Sequence, residues 1–171
     1  GFDYITFHPF PGMSSTKEAI YTAHKLGIQV LAIPYMTAEG AELFFSHPLD
    51  RNHISQILEY DIDRKILEES ATISELILGI CQQIGVDGFI GPANRPEVLH
   101  KYRKITKKPI FTTGIGRQGH GDSIKDQLSS VYSICGGSSA AIIGSAIYTS
   151  PDPLQVVLEI KRLRDEVINK L

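Results

Sequence analysis

A glycine-rich stretch is the part of this 171-residue chain whose residue types point most directly to chemistry. It covers residues 114–121, reads Gly-Ile-Gly-Arg-Gln-Gly-His-Gly, and lies between a strand-like apolar run and a helix-like segment. Glycines let backbone N–H groups approach a bound anion closely, and Arg117 and Gln118 add a guanidinium and an amide as further donors. The pattern predicts a phosphate-binding loop.

A second glycine turn follows the next strand-like run of the sequence. Residues 141–148 read Ala-Ile-Ile-Gly-Ser-Ala-Ile-Tyr, so the apolar run ends at Gly144 and Ser145. In (β/α)8 barrels a substrate phosphate is frequently held by the loops that follow the last two strands. The two turns together therefore indicate both a fold and a class of ligand.

Five strand-then-helix units are predicted, each an apolar run of strand length followed by a segment with helical period. The strands are predicted at Asp3–His8, Gln29–Tyr35, Gly88–Ile90, Pro109–Thr113 and Ala140–Ile143. Parallel sheets are covered by helices on both faces, and their strands read as nearly continuous apolar runs. The order of the elements therefore predicts a parallel α/β fold.

The helix starts are predicted from capping signals. Capping boxes at Ser15-x-x-Glu18 and Thr72-x-x-Glu75 predict two of them. Asp152 and Pro153 predict the start of the last helix as N-cap and first residue.

The stretch from Ile54 to Ile84 is twice as long as the other helical segments and is interpreted as two helices, near 54–69 and 73–84. Residues 63–68, Asp-Arg-Lys-Ile-Leu-Glu, are interpreted as a solvated helix surface, because catalytic groups of such barrels stand at strand ends. The segment 46–84 as a whole receives no functional role.

Composition excludes several classes of function. A formal charge of −2 provides no field for nucleic acid, and neither a membrane-spanning run nor a leader is found, so a cytoplasmic protein is predicted. Cys81 and Cys135 lie far apart, and neither they nor the six histidines show metal-ligand spacing. Buried, reduced thiols and no metal site are therefore predicted.

Five units do not complete a barrel of eight strands, and an isolated piece would leave bare strand edges. The chain is therefore interpreted as a single domain over residues 1–171, forming part of a (β/α)8 TIM barrel whose N-terminal units, about three in number, are missing from it.

Five short motifs stand at residues 1–12 (Gly-Phe-Asp-Tyr-Ile-Thr-Phe-His-Pro-Phe-Pro-Gly), 36–42 (Met-Thr-Ala-Glu-Gly-Ala-Glu), 91–92 (Gly-Pro), 114–119 and 143–148. Taken together in this order and spacing, they resemble the archaeal type of orotidine 5′-monophosphate decarboxylase. The resemblance runs from the family's fourth strand to its C-terminus and covers essentially all of the chain. It implies decarboxylation of orotidine 5′-monophosphate to UMP in pyrimidine biosynthesis, without a cofactor, by a homodimer.

The resemblance also implies roles for individual residues. Gln118 and neighbouring backbone amides, Gly116 among them, would bind the 5′-phosphate, and Gly144 would lie beneath it. Thr37 stands where the family has a serine that contacts the pyrimidine, and Ile115 would pack on the base. His8, at a strand's C-terminal end, either lines the site or is a packed strand-end histidine.

The sequence departs from the family pattern at two functional positions. The family usually has a phosphate-binding arginine where this chain has Ser145, and the hypothesis here is that Arg117 supplies that charge instead. The family's alternating Asp/Lys array, which includes the lysine that protonates the carbanion, belongs to strands that would precede Gly1. No residue of this chain is assigned to it.

Two other functions remain open. A sister enzyme of the same barrel group, a hexulose-phosphate synthase or ketogulonate-phosphate decarboxylase, would need Mg²⁺ held by acidic groups, so metal dependence distinguishes it. The chain could instead bind a phosphorylated ligand without catalysis. The Arg-Gln-Gly word at residues 117–119 favours the decarboxylase.

Overall fold

The computed structural model describes residues 1–10, 12–57, 62–116 and 123–170. They fall into two compact units, described separately below. The first unit consists of Gly1–Ile90 with Lys104–Lys108, and the second of Gly91–Arg103 with Pro109–Leu171.

The first unit is built on parallel strands. Strand β1 (Tyr4–Phe7) pairs in register with β2 (Gln29–Ala32), and β2 pairs with the start of β3 (Gly88–Pro92). Strand β2 is buried along three of its four residues, whereas β1 is largely exposed. The three strands predicted for this part of the sequence are confirmed, with β1 and β2 shorter and β3 longer than predicted.

Five helices of the first unit lie in the described part of the chain: α1 (Met13–Lys25), α2 (Glu42–Phe45), α3 (Arg51–Ile57), α4 (Arg64–Glu69) and α5 (Ile73–Ile84). Helix α1 packs on β2 and α5, and both α2 and α4 contact α5.

The predicted capping box at Ser15 is wrong. Helix α1 begins earlier, at Met13, with Gly12 as its N-cap and no side-chain cap. Gly12 has φ of 96°, so the chain turns into the helix through a left-handed residue that glycine adopts without strain. The buried hydroxyl of Thr16 donates to the Gly12 carbonyl at 2.7 Å, which satisfies it inside the unit.

The single helix predicted near 54–69 is also wrong. Helix α3 ends at Ile57, and α4 begins only after Asp63, whose carboxylate accepts from the Lys65 N–H as an N-cap. Residues 58–61 lie outside the described part. The Arg51 guanidinium of α3 donates to the carbonyls of residues 67, 68 and 70 at the end of α4.

Two local predictions in the same segment are confirmed. The Thr72 hydroxyl caps α5, and the Glu75 carboxylate accepts from that hydroxyl and from the Ala71 N–H. Helix α4 has no buried residue, as expected of a solvated surface.

The second unit contains β4 (Ile110–Thr113) and β5 (Ala140–Ala141), which pair in parallel with Phe111 opposite Ala140. The Ala93 N–H, just beyond the end of β3, donates to the Thr113 carbonyl of β4 at 2.7 Å. Both predicted strands are confirmed, although β5 is shorter than predicted.

Three helices cover this second unit: α7 (Ile124–Cys135), α8 (Ser145–Tyr148) and α9 (Pro153–Ile168), while α6 (Pro96–Ile105) follows β3. Asp152 caps α9 and Pro153 is its first residue, as predicted. The short helix α8 was not predicted. Helix α9 packs against α7 and α8. No helix in the described ranges of either unit is long and apolar enough to cross a membrane.

Gly91 of β3 has no room for a side chain. A Cβ there would lie 2.6 Å from Leu99 Cδ2 and 2.8 Å from Ile110 Cγ2, and both of these side chains are fully buried. We expect Gly91→Ala to lower the free energy of unfolding by about 1–3 kcal/mol, measured by urea denaturation, because the core must shift.

Gly137→Ala is the matched control for this substitution. Its Cβ would meet Ile168 Cγ2 at 3.8 Å, an ordinary contact. The control is expected to change the free energy of unfolding by no more than about 0.5 kcal/mol. Equal stability of the two variants would contradict the tight packing at Gly91.

Candidate functional site

The loop that follows β4 starts with two left-handed glycines around a buried isoleucine. Gly114 has φ of 89° and Gly116 has φ of 97°, a region that L side chains rarely adopt. Ile115 between them is 4% exposed. The start of the loop therefore has a conformation that depends on glycine at both positions.

The loop that follows β5 lies directly against the first loop. A Cβ placed on Gly116 would be 3.2 Å from the Cβ of Ala146, tighter than most real contacts. Gly144 is the N-cap of α8, and Ser145 and Ala146 form the first turn of that helix. The described start of the first predicted turn, residues 114–116, thus lies next to the second turn, at the carboxyl ends of two paired parallel strands of the second unit.

Gln127 of α7 is a site residue that the sequence reasoning missed. Its Oε1 accepts the Gly116 N–H at 2.8 Å, and the side chain is 7% exposed. One signal was present in the sequence: Gln127 is a polar residue beside the apolar helical positions Leu128 and Val131, which are fully buried. Its partner, eleven residues away, could not be read from that pattern.

Arg117 and Gln118, the two donors on which the phosphate prediction depends, lie at 117–122, outside the described residues. Their roles stay predictions.

The predicted site residues of the first unit, His8 and Thr37, adjoin residues that line an apolar cleft. His8 follows β1 and stacks on Phe10 with ring centroids 5.8 Å apart. Phe10 lines a cleft of about 630 Å³ with Met36, Ala38 and other apolar side chains, and Thr37 stands between these last two in the chain. The cleft lies beyond the carboxyl ends of β1 and β2.

The ring of His8 has a polar atom whose hydrogen bonding is not satisfied by the described residues. Its Nδ1 is buried and has no hydrogen-bond partner among the described residues. A buried polar atom without a partner costs free energy unless a ligand or water satisfies it. This favours a site-lining His8 over one that is only packed.

Thr37 is not a helix cap. The N-cap of α2 is Ala41, four residues later, and no side chain caps that helix. Thr37 is half-buried, and its chain neighbours Met36 and Ala38 line the apolar cleft.

Neither cysteine offers a metal ligand or a nucleophile. Both Cys81 and Cys135 are free and buried, as predicted. Burial raises the pKa of the Cys81 thiol to about 12, and burial also raises the pKa of Cys135 despite the opposing Arg103 guanidinium. In the described ranges, no group of three His, Cys, Asp or Glu side chains is placed to hold a metal ion.

Parallel strands with adjoining glycine turns at their carboxyl ends are typical of (β/α) barrel proteins. The chain belongs to the orotidine 5′-phosphate decarboxylase / HUMPS family, whose model matches residues 1–160. The resemblance seen in the sequence is therefore confirmed.

Relatives and solved structures of the family agree with this assignment. The chain is 27% identical over 168 residues to orotidine 5′-phosphate decarboxylase of Methanocaldococcus jannaschii and 26% identical over 164 residues to that of Thermoplasma volcanium. The alignments cover 98% and 96% of this chain and 62% and 58% of those proteins. The chain thus spans about three fifths of the length of these curated relatives.

The M. jannaschii decarboxylase in complex with the inhibitor BMP superposes with a TM-score of 0.67 at 26% identity, over 95% of this chain and 62% of that one. The enzyme from Sulfolobus solfataricus gives the same TM-score at 18% identity, over 97% and 63% of the two chains, and supports the fold alone. The fold is part of a (β/α)8 barrel, in which this chain forms five βα units.

The burial of both thiols predicts their reactivity. Because the raised pKa values keep both sulfurs protonated at pH 8, we expect Ellman's reagent to react with neither in the folded protein and with both after denaturation. Release of one equivalent of chromophore from the native protein within seconds would contradict the burial of that cysteine.

Proposed function

We propose that the protein decarboxylates orotidine 5′-monophosphate to UMP, and that this chain supplies the loops that bind the phosphate and the pyrimidine. The observation that carries the proposal is the contact between the loops after β4 and β5, where Gly116 lies against Ala146. The names of the relatives give the substrate. Because the chain spans about three fifths of their length, the activity of the whole protein is part of the proposal.

The phosphate is assigned to the second unit. Arg117 and Gln118 are assigned as side-chain donors to the phosphate, and Ser145 is assigned to the same ligand. Gly144 lies beneath the phosphate. Gly116 contributes by its backbone conformation, since its own N–H is donated to Gln127.

The charge for the phosphate comes from an unusual position in this proposal. The family's arginine would stand at 145, where this chain has a serine. Arg117 replaces it from within the neighbouring loop. The contact of Gly116 with Ala146 supports this exchange, because it brings the residues next to 117 and 145 together.

The nucleobase is assigned to two residues by separate arguments. Thr37, half-buried and not used as a helix cap, is assigned to the polar edge of the pyrimidine. Ile115 is assigned to its face as an apolar contact on the family resemblance alone. His8 is assigned to the ligand because its buried Nδ1 otherwise has no partner among the described residues.

The role of these residues in the reaction is to bind and orient. Contacts to a phosphate far from the reacting carbon can be used to hold the ring in place and to exclude water, which lowers the barrier when these contacts strengthen in the transition state. The proton that replaces the departing CO₂ is assigned to no residue among 1–171. No cofactor is required by the proposal.

The two other functions are less well supported. The family description includes HUMPS proteins, so the family match alone admits a magnesium-dependent lyase, but the relatives named above are decarboxylases.

We further propose a cytoplasmic homodimer, since closed two-fold dimers are the commonest soluble oligomers and the family resemblance implies a site shared across such an interface.

The function is tested by following UMP release from orotidine 5′-monophosphate with EDTA present, alongside UMP binding and the intact mass of the same sample. Turnover in EDTA supports the decarboxylase. Turnover of a hexulose phosphate that appears only with Mg²⁺ would support the sister enzyme. UMP binding without turnover by a protein of 18.9 kDa would assign these 171 residues a binding role only.

Arg117 is predicted to carry the phosphate charge. We expect Arg117→Ala to weaken UMP binding by about tenfold to a hundredfold, because a charge-assisted hydrogen bond is lost, while uridine binding stays unchanged. Isothermal titration calorimetry measures both affinities. Arg162→Ala removes the same charge from the exposed face of α9, where Arg162 pairs with Glu159, and serves as the control.

A second variant tests the exchange of positions. In the double variant Arg117→Ala, Ser145→Arg, a guanidinium returns at the family's usual position, and we expect UMP affinity to recover to within about fivefold of the wild-type value. A double variant that binds as weakly as the single one would refute the replacement of one arginine by the other.

A further inference from the structure

The side-chain amide of Gln127 is buried in the second unit, so it needs a hydrogen-bond partner within the protein. It lies in the first turns of α7, is 7% exposed, and accepts the Gly116 N–H at 2.8 Å. Buried amides are almost always hydrogen-bonded, because an unpaired polar group in the interior is costly. The bond therefore connects α7 to the loop after β4 and keeps both groups satisfied.

Three features restrict the position of Gly116. Its N–H donates to Gln127, its φ of 97° is one that residues other than glycine rarely adopt, and a Cβ on it would make a tight contact of 3.2 Å with the Cβ of Ala146. The last two constraints limit how the loop can move but do not attract it. Of the three, only the hydrogen bond that the Gly116 N–H donates to Gln127 Oε1 is attractive.

The turn that carries Gln127 is itself well fixed. The Ser123 hydroxyl accepts from the Asp126 N–H at 3.2 Å and donates to its carboxylate at 2.6 Å, and the Gln127 N–H donates to the Ser123 carbonyl. Leu128, the next residue, is fully buried. Gln127 thus offers its oxygen from a rigid support.

We propose that Gln127 is a positioning residue for the phosphate ligand: it holds Gly116 against Ala146, so that the loops after β4 and β5 are aligned before the ligand arrives. The inference rests on the proposed function for the nature of that ligand. Aligned donors bind more tightly because less conformational entropy is lost on binding. Gln127 itself does not touch the phosphate and acts through Gly116.

The test compares two substitutions in α7. Gln127→Met keeps the size of the side chain but leaves the Gly116 N–H without its acceptor. Val131→Ala shortens a fully buried side chain one turn further on in the same helix. Both variants are expected to lower the thermal unfolding midpoint, so stability alone does not distinguish them. Gln127→Asn, whose oxygen falls short of Gly116, replaces Gln127→Met if that protein does not fold.

Affinities for UMP and uridine supply the decisive measurement. We expect Gln127→Met to weaken UMP binding by about tenfold and uridine binding by no more than about threefold, since the loops aligned by the lost hydrogen bond hold the phosphate and only Ile115, next to Gly116, is assigned to the base. Val131→Ala is expected to keep both affinities within about twofold of wild type. Amide hydrogen exchange at Gly116 is expected to accelerate in Gln127→Met and not in the control.

The outcomes separate the two proposals. If the wild type binds UMP better than uridine and Gln127→Met binds UMP equally well, the inference is overturned and the proposed function stands. If the wild type binds UMP no better than uridine, the proposed function fails and the inference with it. Equal loss of UMP affinity in Gln127→Met and Val131→Ala would reduce Gln127 to a structural role and overturn the inference.

Discussion

The missing side chain at Gly116 is the constraint on which the candidate phosphate region depends. Because no Cβ stands between Gly116 and Ala146, two loops that leave neighbouring strands can lie in contact. Any other residue would be strained by the left-handed backbone and would push Ala146 away. The bond to Gln127 and the burial of Ile115 both rely on this same position of the backbone.

The amino ends of the strands show a different use of polar groups. In the first unit the Asp87 carboxylate, just before β3, accepts from the Val30 N–H at 2.7 Å and pairs with His24 at 2.8 Å. In the second unit the Ser139 hydroxyl, just before β5, donates to the Cys135 carbonyl and accepts from Arg103. The groups in these networks satisfy one another within the protein and stabilise it. In (β/α)8 barrels, ligands are bound at the opposite, carboxyl ends of the strands.

Residues of this chain are proposed to bind the ligand, and none of them is assigned to the chemical step. The adjoining glycine loops and Gln127 form the candidate phosphate region of the second unit. The apolar cleft near His8 is a separate feature of the first unit. Nothing in these features breaks a carbon–carbon bond. A phosphate held by preorganised donors contributes to rate only when its contacts strengthen as the reaction proceeds at the ring.

Local signals were sufficient for the alternation of strands and helices, for the caps at Thr72 and Asp152, and for the two glycine turns, because each depends on residues within a few positions of one another. The same local logic failed at Ser15, where the turn at Gly12 starts the helix earlier. Which groups meet was decided by tertiary structure: Gly116 with Ala146 and with Gln127. Such contacts join residues that are separated in the chain, and only the packing of strands and helices brings them together.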